Sequence, residues 1–300
     1  MSERRQLINV AYRLLGSLAE AEDAVQEAYA RWYKLSPPQQ QAIESPGAWL
    51  TTVTSRICLD LLGSARVRRE RYVGEWLPEP LPEPGEWQSA RPSGRTGPSA
   101  DLADPADRVT LDESITMAFL VVLDSMTPAE RVAFILHDVF GYPFADVAEI
   151  TGRSTAACRQ LASSARRRID ESQTPVAPTA LQADIVRSFK QAWAAKDIGA
   201  LLDLLDPDAT AIADGGGLAA AALHPIEGAE AIAQFYVAIA GESSGGAVDV
   251  LERTVNGRPG LVVQEDGVTV TVFAFELTGD RITHIWAVRN PEKLRAWTNG

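Results

Sequence analysis

The chain has 300 residues, 46% of them apolar, and a formal net charge of −12. The length suits two or three domains, since one core rarely grows much past ~250 residues, and the apolar content excludes a chain that is disordered throughout. No run nears the ~18 apolar residues of a membrane span, the start MSERRQLINVAYRLL lacks the apolar region and cleavage site of a signal peptide, and the two cysteines, Cys58 and Cys158, sit in helical patterns, which argues against a disulfide framework and fits a reducing cytoplasm.

Residues 1–73 read as all helix. Ser17 with Glu20 three residues on forms a capping box. Behind it Val25, Ala28, Tyr29 and Trp32 fall on one helical face, with Asp23, Gln26, Glu27 and Arg31 facing away. Ser45-Pro46 opens another helix, an N-cap followed by proline at the first helical position. This helix is expected to carry Trp49, Leu50, Val53, Ile57, Leu61 and Leu62 inward and to end in Arg66, Arg68, Arg69 and Arg71.

Residues 74–107 hold seven of the eighteen prolines, at 78, 80, 82, 84, 92, 98 and 105, and read as a linker. Residues 108–172 return to helix. Thr127-Pro128-Ala129-Glu130 is a second capping box, and its helix breaks at Gly141-Tyr142-Pro143. FADVAEITGRSTAACRQLASSARRRI then gives a helix, a turn at Thr151-Gly152-Arg153 and a second helix capped by Ser154. Cys158, Leu161, Ala162, Ala165 and Ile169 form its inward stripe. Thr155, Ala156, Arg159, Gln160, Ser163 and Arg166 form an outward stripe whose guanidinium and amide groups suit base edges. A glycine-turned helix pair also occurs in plain bundles, and arginine runs are often only solvated faces.

Residues 178–300 mix helices and strands. An amphipathic helix carries Leu181, Ile185, Phe189 and Trp193, a short strand near Ala209–Ala213 runs into Asp214-Gly215-Gly216-Gly217, and a helix covers roughly 229–240. Turns at Asn256-Gly257, Asp266-Gly267 and Gly279-Asp280 separate alternating strands. The predicted fold class is therefore multidomain: two all-α modules followed by an α+β cone with an interior pocket. His137, His224 and His284 are isolated from the cysteines, so no metal site or cofactor is expected. No phosphate-binding loop or nucleophile elbow is present either.

The acidic balance opposes a free-standing DNA binder. The basic clusters, at Arg66–Arg71 and at Arg166, Arg167 and Arg168, suggest weak local contacts that need a partner. In this combination residues 1–172 resemble the extracytoplasmic-function sigma factors. AEDAVQEAYARWYK looks like their region 2 helix that docks on the polymerase, WLTTVTSRICLDLL like their −10 helix, and the helix-turn-helix like their region 4 reader of the −35 element. Trp76-Leu77-Pro78-Glu79-Pro80, Asp214-Gly215-Gly216-Gly217 and Asn290-Pro291-Glu292-Lys293-Leu294 resemble the signature motifs of the subgroup with a fused SnoaL-like domain. Leu218 and Glu292 depart from that pattern, where lysine and aspartate are usual, as do Leu61 and Gly63 on the −10 helix.

The resemblance implies no enzyme but a sigma factor, with core RNA polymerase and promoter DNA as partners and no membrane. It implies polymerase docking through Asp23, Gln26, Glu27 and Arg31. It implies −35 contacts from Arg153, Ser154, Thr155, Ala156, Arg159, Gln160, Ser163 and Arg166, and −10 contacts from Thr54, Ser55, Arg56, Arg66, Arg68 and Arg69, with a flipped base held by the loop 35–44. The three motifs are the expected regulatory elements, letting the last domain act as a fused inhibitor at high effective concentration. A small ligand in the cone could bias that docking, though no residue names one. Two alternatives are a ligand-responsive helix-turn-helix regulator and a SnoaL-like enzyme tethered to a DNA-binding domain, the latter pairing Asp214 with His224 or His284.

Overall fold

A computed structural model describes residues 2–69, 72–82, 115–172, 179–240 and 247–297, by their backbone alone at 2, 65–69 and 172. The chain divides into two compact units, Met1–Arg71 with Phe119–Gln173, and Tyr72–Ala118 with Thr174–Gly300. The two helical modules thus close up as one body. The start of the proline-rich linker belongs instead to the C-terminal unit. The rest of the linker, 83–107, and the first residues expected of the second helical segment, 108–114, lie outside the described residues.

The first unit contains α1 (Ser2–Leu15), α2 (Leu18–Lys34), α3 (Pro37–Gln41), α4 (Pro46–Arg69), most of α5 (Met117–Asp124), α6 (Pro128–Phe134), α7 (Phe144–Thr151) and α8 (Thr155–Ser172). The expected caps form. The Ser17 hydroxyl accepts from the Glu20 amide, and Thr127 and Glu130 cap each other reciprocally at α6. Beyond α6 the backbone widens into a π-helical turn, Ile135–Val139, before the break at Gly141. Helix α4 packs on α1 and α2 along one side and on α6 and α7 along another. Its buried arc is therefore wider than the single stripe expected of it.

The second unit is an α+β cone. Its sheet runs in the order β2-β1-β6-β5-β4-β3, from β1 (Leu205–Asp214), β2 (Ile226–Glu227), β3 (Val248–Val255), β4 (Arg258–Glu265), β5 (Val268–Thr278) and β6 (Arg281–Val288). Strand β1 is twice as long as the Ala209–Ala213 segment expected, because it pairs in parallel with β6 as well as with short β2. Helices α9 (Thr179–Ala195), α10 (Ile198–Leu204) and α11 (Ala229–Ile239) cover one face. Asp197 caps α10 through the Ala200 amide.

Aromatic rings cluster between the helices and the sheet. Phe189 meets Tyr236 at 5.4 Å and Phe275 at 5.3 Å, and Trp193 meets Tyr236 and Phe273, both at 5.6 Å. The Trp193 indole donates to the Tyr236 carbonyl at 2.8 Å. Edge-to-face packing of this kind adds to the burial of large apolar surface. Phe189→Ala is expected to destabilise the cone by about 3–5 kcal/mol, read from urea denaturation followed by tryptophan fluorescence. A loss under about 1 kcal/mol would mean that the rings do not hold the cone together.

Candidate functional site

The helix-turn-helix is built as its sequence requires. Gly152 closes α7 in the left-handed conformation at φ 64°, which only glycine adopts without strain. The Ser154 hydroxyl accepts from the Ala157 amide and starts α8. Cys158, Ala162 and Ala165 are fully buried and Ile169 nearly so, while Leu161 is only half-buried. Arg153, Ser154, Ala156, Arg159, Gln160, Ser163 and Arg166 are exposed, and Thr155 is half-buried. Two of the arginines are already engaged. Arg166 pairs with Asp138 at 2.6 Å, and the Arg159 guanidinium lies 5.7 Å from the centre of the Phe144 ring.

On α2, Asp23, Gln26, Glu27 and Arg31 are all exposed, and Glu27 pairs with Arg31 at 3.0 Å. Trp32 and Trp49 meet edge to face at 5.3 Å beneath the loop 35–44. Part of that loop is α3, and Gln40 ties it to the Trp32 carbonyl.

Helix α4 corrects the reading of two side chains. Thr54 and Ser55 are completely buried, so neither reaches nucleic acid in this conformation. Thr54 lies one turn from Leu50, on the inward face of a helix that is covered from two sides. Arg56 is exposed but donates to both the carbonyl and the carboxylate of Glu149 on α7, at 3.0 and 3.1 Å. Helix α4 continues through Arg66, Arg68 and Arg69, whose side chains lie outside the described residues.

The seam between the two helical modules is unusually polar. Tyr142 donates to Thr51 at 3.0 Å, and Arg131 donates to the Leu14 carbonyl at 2.8 Å. The Arg13 guanidinium lies over Phe140 at 5.4 Å and is only 3% exposed. Its Nε and Nη1, with the hydroxyls of Thr54 and Ser55, have no hydrogen-bond partner among the described residues. Burial pushes the Arg13 pKa down to about 10, an effect that neighbouring Tyr12 opposes only in part. Buried polar groups left unpaired are costly.

The three motifs meet within the C-terminal unit. The Asp214 carboxylate, with no exposure to water, accepts from the Tyr72 hydroxyl at 2.6 Å, the Leu77 amide at 2.8 Å and Lys293 Nζ at 2.6 Å. Lys293 also donates to the Leu77 carbonyl at 2.5 Å and lies 4.1 Å from the centre of the Trp76 ring. Asn290 donates to the Tyr72 oxygen at 2.8 Å, and its own carbonyl accepts from the Glu292 amide. Burial and the hydrogen bond to Asp214 push the Tyr72 phenol well above its usual pKa, so it stays a donor. Leu77 to Pro80 and Leu294 are buried, whereas Pro291 and Glu292 are exposed.

The glycines serve close approach as well as turning. A Cβ on Gly216 would stand 2.3 Å from Asn290 Nδ2, and one on Gly215 would stand 2.1 Å from the Ala219 carbonyl. Gly216 and Gly217 also take positive φ, 59° and 72°. Further along, Leu81 exchanges hydrogen bonds with Asn256, Pro82 bridges Val255, and the Trp297 indole donates to the Pro80 carbonyl. The linker is thus fastened along the C-terminal domain.

Among the described residues the Asp214 carboxylate takes its hydrogen bonds from Tyr72, Leu77 and Lys293 and not from a histidine, and in the β1–β6 register it stands opposite Val288, with His284 opposite Thr210. The motifs named Asp214 and Lys293 but missed Tyr72, Asn256 and Trp297. The signal for Tyr72 was an aromatic residue just ahead of the Trp76 motif. Asn256 was legible only as a turn residue, and nothing local marked Trp297.

Comparison with known proteins accords with this arrangement. Residues 1–68 match the Sigma-70 region 2 family and residues 116–169 match Sigma-70, region 4. The chain is 37% identical to the ECF RNA polymerase sigma factor SigJ of Mycobacterium tuberculosis, across 97% of this chain and 90% of that protein. It is 33% identical to a probable ECF RNA polymerase sigma factor, SigI, of the same organism, across 98% and 92%. The crystal structure of Mycobacterium tuberculosis SigJ superposes with a TM-score of 0.72 at 34% identity, over 98% of this chain and 96% of that one. Two sigma regions joined to an α+β, SnoaL-like cone therefore form one chain, and it belongs to the extracytoplasmic-function sigma factors of RNA polymerase.

Proposed function

We propose that this sigma factor brings core RNA polymerase to −10 and −35 promoter elements, and that its C-terminal domain governs the step in cis through the linker clamp. In this reading α8 enters the −35 major groove, with Arg159 and Gln160 on base edges and Arg153 and Arg166 on phosphates. The exposed face of α2, Asp23 to Arg31, meets the polymerase. The loop 35–44 and the arginine end of α4 serve the −10 element. The acidic body suits a reader that leans on a larger partner for affinity.

The observation that carries cis control is the burial of Asp214 among donors drawn from the linker and from the tail. Withdrawing the linker strips two donors from a carboxylate with no water to replace them, which is costly. Tyr72 follows closely on the end of α4, so whatever holds or releases the clamp acts on the segment leaving the −10 helix. The polar seam supports a closed resting state. The Arg56–Glu149 pair there is largely exposed and contributes at most about 1 kcal/mol. The Arg13 guanidinium, buried over Phe140 with Nε and Nη1 unpaired among the described residues, opposes closure. A seam of this kind favours opening once polymerase or DNA offers partners.

Three outcomes test the reading. In run-off transcription, the full chain with core polymerase should yield discrete starts from a template library randomised over both promoter elements. Core polymerase alone should yield none, and the assignment fails if the chain adds nothing. Lys293→Met should destabilise the C-terminal unit by about 3–5 kcal/mol and alter transcript yield, while adding Asp214→Asn should recover part of the loss. Strict additivity of the two changes would refute the pairing. Arg13→Met removes a buried, poorly satisfied charge and should raise the melting temperature by a few degrees while lowering transcription. An unchanged melting temperature would count against the closed seam.

A further inference from the structure

The π-helical turn Ile135–Val139 presents two successive side chains toward the reading helix and its neighbour. Asp138 holds Arg166 on α8 at 2.6 Å. His137 stacks on Phe144 at 3.7 Å between ring centres, with planes 27° apart, and its Nδ1 lies 2.8 Å from the Tyr142 carbonyl. Phe144 opens α7, and the Arg159 guanidinium lies over its ring, 5.7 Å from the centre. Arg159 and Arg166 stand seven residues apart, two helical turns on one face. One irregular turn thus steadies both guanidinium groups.

We propose that Phe144, backed by His137, is a positioning residue that sets base preference by holding Arg159 ready for its base pair. The inference rests on the reading of Arg159 as a base contact. An exposed arginine samples many rotamers and loses that freedom when it grips a base. Stacking over an aromatic ring removes part of the freedom beforehand, and the rigid fork then meets guanine, its usual partner, at less cost. The π-helical turn is the device that brings the imidazole under the ring, since such turns shift the phase of the side chains that follow.

The test uses the full chain with core RNA polymerase on a template library randomised over both promoter elements, with transcripts counted by sequencing. Arg159→Ala should flatten the preference at one or two −35 base pairs. Phe144→Leu should flatten the same base pairs by roughly tenfold and leave the others sharp. Phe144→Tyr and Phe144→Trp should retain the preference to within about twofold. His137→Ala should produce a weaker version of the Phe144→Leu pattern, and His137→Phe should not. If Arg159→Ala flattens its base pairs while Phe144→Leu and His137→Ala leave them sharp, the positioning role is wrong and the Arg159 reading stands. If Arg159→Ala changes no base pair, both fall. A uniform loss across all base pairs in the Phe144 and His137 variants also overturns the proposal, because it marks a structural role alone.

Discussion

A carboxylate sealed from water must find its charge balance in the protein, and Asp214 finds it in three donors from two distant stretches of chain. The Leu77 amide comes from the linker, the Tyr72 hydroxyl from just ahead of it, and Lys293 from the tail. Lys293 is itself covered by Trp76 and Tyr72, so the cation is nearly as sheltered as the anion. Neither charge tolerates loss of the other. The triple glycine, the tail turn at Asn290 and the run of linker along the sheet all follow from the need to bring these groups within hydrogen-bond reach.

That constraint bears on function through chain connectivity. The segment entering the clamp is the one leaving α4, and α4 is the helix whose resemblance is to the −10 reader. In the first unit α4 lies beneath α6 and α7, with buried polar atoms that the closed packing leaves poorly served. Closure is held by burial and a few hydrogen bonds and is opposed by these groups. On the proposed reading, such a balance would hold the sigma factor closed when idle and let it open on the polymerase.

The cone contributes shape and attachment more than an interior. Rings from α9, α11 and β5 pack against one another under the sheet. The sheet and its tail instead receive the linker, from Asp214 at one end of β1 to Asn256 at the β3–β4 turn. A fold that elsewhere encloses ligands can in this way serve as a docking platform for its own chain.

Much of this was legible locally. Ser17, Thr127 and Ser154 announced helix starts, Gly152 the turn, and the outward stripe of α8 is exposed as its 3.6-residue period requires. Alternation and the glycine turns gave β3 to β6. Thr54 and Ser55 were misplaced because a helix flanked on two sides buries a wider arc than its apolar stripe, and small hydroxyl residues read alike whether they face water or a neighbour. The sequence by itself determined most of which segments are helix or strand, since those follow from short-range spacing, while the grouping of the three motifs came from their resemblance to a family. Only the tertiary structure decided that Tyr72, Leu77 and Lys293 neutralise one carboxylate, and that Phe144 carries Arg159. Pairing between residues far apart in the chain depends on how elements pack, and no local pattern encodes which distant partner a buried charge will meet.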